Sequence, residues 1–154
     1  MTTSPIVAIQ SAWGASANFV GPVAGVGIDL VDVAVLKRLL ISGGPAFRDS
    51  VWTAAEQAEA GGSAERLAGR WAGKEAVMKA LQCGIGETEP LDIEIATAPG
   101  GKPEVVLHGS AKKAAASKQV TAWHVSLSHE HGWATAIAIA ERKPTQTLKG
   151  DNHV

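Results

Sequence analysis

The chain has no tyrosine, and aromatic residues make up only 5% of it. It therefore holds little from which to build the stacking platforms that grip single-stranded nucleic acid. It also lacks a dominant charge. Its 14 Lys and Arg against 15 Asp and Glu leave a net charge of −1, so no global field draws it to nucleic acid or to a membrane surface. Any anion site must be assembled locally. The one cysteine, Cys83, excludes an internal disulfide and makes a reducing cytoplasm the simplest setting. No apolar run approaches the ~20 residues needed to cross a bilayer as a helix. Residues 1–22 contain neither Lys nor Arg, so the charged start of a signal peptide is missing. They read as a flexible N-terminal extension.

What the chain does have is enough length, 154 residues, to bury one core, and one segment around which the rest can be arranged. If Arg70 to Leu81 is helical, at about 100° per residue, Gly69, Ala72, Gly73, Ala76 and Ala80 make a face almost without side chains. Another backbone can pack very close there. Leu67, Trp71, Val77, Met78 and Leu81 make a wide apolar face, with Lys74 in its middle and Arg70 beside it. An unpaired buried charge costs several kcal/mol. Lys74 must therefore snorkel along its stem to water, or be received by a subunit interface or a phosphate. Glu75 and Lys79 share a narrow edge. They suit an i,i+4 surface pair contributing about 0.2–0.5 kcal/mol, and they also suit chemistry.

Val23 to Leu30 reads as a strand, with Val26, Ile28 and Leu30 on one face and Gly25, Gly27 and Asp29 on the other. The glycines clear that face for close approach. They are not a dinucleotide fingerprint, because Leu30 stands where the third glycine belongs. Asp32 caps a helix over Val33 to Leu40, which Ser42-Gly43-Gly44-Pro45 stops. Thr53 and Glu56 are spaced as a capping box for a helix to Ala60. Ser63 caps the central helix, which ends around Cys83-Gly84-Ile85-Gly86, where Cys83 serves as a small filler.

After Pro90 the period becomes two. Leu91–Ile95 and Glu104–Leu107 form a hairpin across Pro99–Pro103, and Ser110–Lys118 is a short helix. Thr121–Ser128 and Trp133–Glu141 form a second hairpin across a turn at His129–Gly132. In its last strand Ala134, Ala136, Ala138 and Ala140 share a face opposite Thr135, Ile137 and Ile139. Residues 142–154 read as a disordered polar tail. No repeat or linker divides the chain. The expectation is one α+β domain over residues 23–141, with antiparallel hairpins packed on a long central helix.

Three groups can carry chemistry: Asp29 near a strand end, the Arg70/Lys74/Glu75/Lys79 helix, and the Ser126-x-Ser128-His129 strand end. Two carboxylates with flanking cations suit a phosphate-bound Mg²⁺, which takes oxygen ligands and keeps only one or two carboxylates. Lys and Arg then neutralise the phosphate oxygens. A zinc site from His124, His129 and His131 is a poor rival. Strand alternation puts His124 and His129 on opposite faces, and no cysteine stands nearby. Taken alone, His129 also suits a surface turn.

Gly25-Val26-Gly27-Ile28-Asp29-Leu30, Arg70-Trp71-Ala72-Gly73-Lys74-Glu75-Ala76-Val77-Met78-Lys79-Ala80 and Val125-Ser126-Leu127-Ser128-His129 together resemble the holo-[acyl carrier protein] synthases. These are the small 4′-phosphopantetheinyl transferases. Phe47, Thr53-x-x-Glu56, Gly84-x-Gly86, Asp92-Ile93-Glu94-Ile95 and Gly101-Lys102-Pro103 add to the likeness, which runs from about Val26 to Glu141. The resemblance implies the fold of that family. It also implies transfer of 4′-phosphopantetheine from coenzyme A to a serine of an acyl carrier protein, free or as a domain of a large fatty acid synthase, with release of adenosine 3′,5′-bisphosphate.

By the same resemblance, Asp29 and Glu75 would bind Mg²⁺, Lys79 would hold a phosphate oxygen, and Glu75 or a metal-bound water it orients would act as base. Arg70, Ser128 and His129 look like contacts to coenzyme A phosphates, and Gly101, Lys102 and Pro103 like part of the adenosine pocket. Such proteins are typically homotrimers with each active site between subunits. The small helix face and the alanine strand face, which need close partners, agree with that. Two features depart from the pattern. Val35 stands where the family often has a carrier-gripping arginine, and the N-terminal extension is longer than usual. The rival readings are a non-catalytic module binding coenzyme A or the carrier, and a Mg²⁺-dependent nucleotide hydrolase.

Overall fold

The computed structural model describes residues 22–143. The expected extension over 1–22 lies outside them except for Pro22, and the expected tail over 142–154 except for Arg142 and Lys143. The chain runs β1 (Val23–Asp32), α1 (Val33–Val51), α2 (Ala54–Ala60), α3 (Ala64–Ala80), a 3₁₀ turn (Pro90–Asp92), β2 (Ile93–Thr97), β3 (Pro103–Leu107), α4 (Gly109–Ser117), β4 (Val120–Glu130) and β5 (Trp133–Arg142). Antiparallel pairing gives a three-stranded sheet in the order β1-β5-β4, and β2 and β3 form a separate hairpin. Among the described residues no helix is long and apolar enough to cross a membrane.

The sheet lies on α3 because both surfaces are stripped of side chains. Ala134, Ala136, Ala138 and Ala140 of β5 are all buried. A Cβ on Gly25 would overlap the carbonyl oxygen of Ala80, and one on Gly27 that of Ala76. Only glycine lets β1 lie this close to the helix backbone. On its next edge α3 meets the other hairpin, where a Cβ on Gly73 would stand 3.0 Å from Ile95 Cγ1. The small helix face and the alanine face thus find their partners within one chain. The need for close partners is met as expected, but by the chain itself, so these faces lend no support to a subunit interface. The surface left uncovered is the opposite side of the sheet, where Val26, Ile28 and Leu30 are 56%, 64% and 61% exposed and Ile137 is 40% exposed.

Several element boundaries move. Asp32 caps α1 as expected, accepting from the backbone N–H groups of Ala34 and Val35. Gly44, at φ 59 and ψ −154, breaks the helix, but the chain then resumes helical turns through Pro45 to Val51. Proline suits a first helical turn, where its missing N–H has no intrahelical partner to lose. α3 stops at Ala80, before the glycines. Leu91 and Asp92 belong to the 3₁₀ turn, so β2 begins at Ile93. His129 and Glu130 stay in β4, and the turn is only His131 and Gly132, at φ 50 and 80. Arg142, expected in the tail, closes β5 and donates its N–H to Pro22 O.

Candidate active site

α3 carries functional candidates on two sides, and the sheet determines what each side meets. Asp29 stands on the glycine face of β1, opposite Ala136 in the ladder, and its carbonyl oxygen accepts from Thr135 Oγ1 at 2.7 Å. Lys79 Nζ reaches across from α3 and donates to Asp29 Oδ1 at 2.8 Å and to Ile28 O at 3.0 Å. The i,i+4 surface pair is therefore replaced by a contact between helix and strand. Glu75 is half-buried one turn before Lys79. Burial first, and then the Asp29 charge, push its carboxyl above the usual range, while Lys79 acts the other way. A half-buried carboxylate beside a second one favours either a proton or a cation.

Arg70 lies roughly 140° from Glu75 and 180° from Lys79 around the helix. It lines a different space, a cleft of about 590 Å³ that also takes in Gly101, Pro103, His129, Glu59 and Thr97. Asp29, Glu75 and Lys79 do not line it. The sequence-derived residues are thus divided into two groups within one chain. Lys102 is exposed in the turn before β3, beside the cleft but not among its lining residues. Ser128 faces the outer side of the sheet, opposite Thr135, while His129 faces inward opposite Ala134. The same alternation separates His124 from His129. Among the described residues no group of three or more His, Cys, Asp or Glu side chains converges on a metal-sized space. Asp29 and Glu75 form a pair.

Lys74 meets neither water nor an open cleft. Its side chain is 0% exposed, and Nζ donates to Glu56 Oε2 at 2.7 Å and to Pro90 O at 2.9 Å. Burial pulls the ammonium below the ordinary lysine range, and the Glu56 carboxylate acts against that. Glu56 also closes the expected capping box through the Thr53 N–H and accepts from Ile95 N at 2.9 Å. One buried carboxylate thus ties α2, α3 and β2 together. Cys83 is half-buried and accepts from Thr88 Oγ1 at 3.0 Å, in keeping with a filler.

Sequence reasoning missed Glu59 and Thr97. The usable signal was the spacing: Glu56 and Glu59 lie three apart, and Lys74 and Arg70 four apart, so two acids on one helix can meet two bases on the next.

The 4′-phosphopantetheinyl transferase superfamily model matches residues 25–138. A holo-[acyl-carrier-protein] synthase from Beutenbergia cavernae is 45% identical over 120 residues, covering 78% of this chain and 99% of that protein. The structure of the holo-[acyl-carrier-protein] synthase from Neisseria meningitidis superposes with a TM-score of 0.71 at 31% identity, covering 78% of this chain and 99% of that one. The Helicobacter pylori enzyme in complex with coenzyme A gives 0.69 at 29% identity, covering 75% and 98%.

Proposed function

The chain belongs to the 4′-phosphopantetheinyl transferase superfamily, and from that premise we propose that it is a holo-[acyl-carrier-protein] synthase. It moves 4′-phosphopantetheine from coenzyme A to a serine hydroxyl of an apo acyl carrier protein or carrier domain, leaving adenosine 3′,5′-bisphosphate. The observation that carries the chemical assignment is the convergence of Asp29, Glu75 and Lys79 where β1 crosses α3.

The donor set fits Mg²⁺. Two carboxylates supply the oxygen ligands that ion prefers, and a dication would relieve the repulsion between Glu75 and Asp29. Held by Asp29 and Glu75, Mg²⁺ would neutralise the charge of the pyrophosphate. Asp29 also fixes Lys79, whose ammonium balances charge that grows on a phosphate oxygen during transfer. A carboxyl shifted upward, as that of Glu75 is, is better matched to taking the serine proton than an ordinary one. The serine oxygen then bonds to the pantetheine-bearing phosphorus, the pyrophosphate P–O bond breaks, and adenosine 3′,5′-bisphosphate departs with the electron pair.

The Arg70/His129 cleft, with Gly101 and Pro103 on its wall, receives the charged nucleotide end of coenzyme A. Lys102 adds a contact from beside the wall, whereas Ser128, on the outer face of the sheet, points away from this cleft. The two groups lie on different sides of α3, an arrangement suited to a site that neighbouring copies complete together. A homotrimer in the cytoplasm is the proposed state. The uncovered Val26, Ile28, Leu30 and Ile137 surface supports it, since a monomer gains nothing from exposing that patch.

The test is incubation of the protein with coenzyme A, Mg²⁺ and a panel of apo carrier proteins. A mass gain of ~340 Da on one carrier serine is expected, and its absence across the panel sinks the proposal. Glu75→Gln is expected to lose transfer while keeping coenzyme A binding. A parent protein that binds coenzyme A and modifies no carrier is instead a binding module, and one that splits coenzyme A without a carrier is a hydrolase.

A further inference from the structure

Arg70 is not a free arm in the wall of the cleft. Its Nη2 donates to Glu59 Oε2 at 2.6 Å and to Thr97 Oγ1 at 3.2 Å. The Thr97 hydroxyl donates to the same Glu59 oxygen at 2.7 Å, closing a triangle. The Arg70 side chain is only 11% exposed, and its Nε is buried without a hydrogen-bond partner among the described residues. Beneath this triangle lies the buried Glu56–Lys74 pair with Ile95 N. Both layers draw on the same three elements. Glu56 and Glu59 are a turn apart on α2, Lys74 and Arg70 a turn apart on α3, and Ile95 and Thr97 alternate along β2.

A carboxylate is out of place in a cleft meant for phosphate, because its charge repels the ligand. It makes sense if its work is geometric. A long side chain ordered only on binding weakens binding by the entropy it loses, and one ordered beforehand does not. We propose that Glu59, with Thr97, is a positioning residue that holds the Arg70 guanidinium in the cleft wall, ready for an anionic group of coenzyme A. This rests on the reading of the cleft as the coenzyme A site.

The two accounts of Glu59 predict opposite signs. Coenzyme A affinity of the full chain is measured by calorimetry without any carrier, and kcat and KM with one. If Glu59 positions Arg70, Glu59→Ala weakens coenzyme A binding roughly 3–10-fold, the loss that follows from leaving one long side chain to be ordered by the ligand. KM rises and kcat stays. Glu59→Gln, which keeps an acceptor oxygen, loses less. Arg70→Ala loses more, and the Glu59→Ala/Arg70→Ala double variant binds no worse than Arg70→Ala alone, because Glu59 then has no guanidinium to position and its repelling charge is gone. Tighter or unchanged binding in Glu59→Ala overturns the proposal, as does a double variant whose losses add. Should Glu59→Ala not fold, Thr97→Val removes one leg of the triangle without altering charge, and the same signs apply. A parent that binds coenzyme A but transfers nothing defeats the functional reading and leaves this one standing. A parent that transfers while Glu59→Ala binds as well as it does defeats this one alone.

Discussion

Replacing Lys74 with methionine keeps the length and bulk of the side chain and removes only the ammonium. Glu56 then stands at 0% exposure with its charge unpaired, and Pro90 O loses its donor at 2.9 Å. Breaking one side of a buried ion pair costs about 3–5 kcal/mol, because the remaining charge has no water to turn to. A lysine that snorkelled to solvent or waited for a phosphate would cost about 1 kcal/mol or less on mutation. The gap between these figures is wide enough to measure. Urea unfolding followed by circular dichroism is expected to show the larger loss, with a melting temperature lower by about 10–20 °C for a domain of this size. Adding Glu56→Gln to Lys74→Met removes the buried charge and recovers part of the loss. Recovery is incomplete because a single amide oxygen replaces the two carboxylate oxygens that now accept from Thr53 N and Ile95 N, and a stranded backbone donor costs about 1–3 kcal/mol. A Lys74→Met protein within about 1 kcal/mol of the parent refutes the burial argument.

Gly27→Ala places a methyl on the carbonyl oxygen of Ala76 and forces β1 off α3. The expected cost is about 3 kcal/mol or more, at the upper end for overpacking, and an unchanged melting temperature contradicts it. Ile28→Lys puts a charge on the uncovered sheet face, where Ile28 is 64% exposed. If the proposed trimer uses this face, sedimentation is expected to show a folded monomer in its place, and a variant that remains trimeric removes that face from the interface. The third concerns acid. The Ser110 hydroxyl, and then its backbone N–H, hold the Asp92 carboxyl below its ordinary value of 3.8. A lowered carboxyl contributes stability that is whole above about pH 3.8 and is lost as pH falls through the lower folded value. The difference in urea midpoint between the parent and Asp92→Asn should therefore shrink on acidification below that point; a difference that persists unchanged opposes the assignment.

What sequence alone determined was local. Asp32, Thr53 and Ser63 mark helix starts because a short polar side chain satisfies the first free N–H groups wherever it stands. The glycine face of β1 and the alanine face of β5 were legible as close-packing surfaces, since period-two alternation leaves no other reading. Asp29, Glu75 and Lys79 stood out because they match a motif. Tertiary structure decided which surfaces meet. The bare helix face could have served a neighbouring subunit, and only the placement of Gly25 and Gly27 on Ala80 and Ala76 shows that the chain covers it itself. Lys74 needed an anion, and only the matched spacing of Glu56 and Glu59 against Lys74 and Arg70 hinted at Glu56, 18 positions earlier on another helix. Arg70, Glu75 and Lys79 share one helical motif, yet they open onto different spaces. Helical periodicity sets the angle between them, but what fills that angle is a strand on one side and a hairpin on the other. Those neighbours come from distant parts of the chain, through long-range packing that no local pattern encodes.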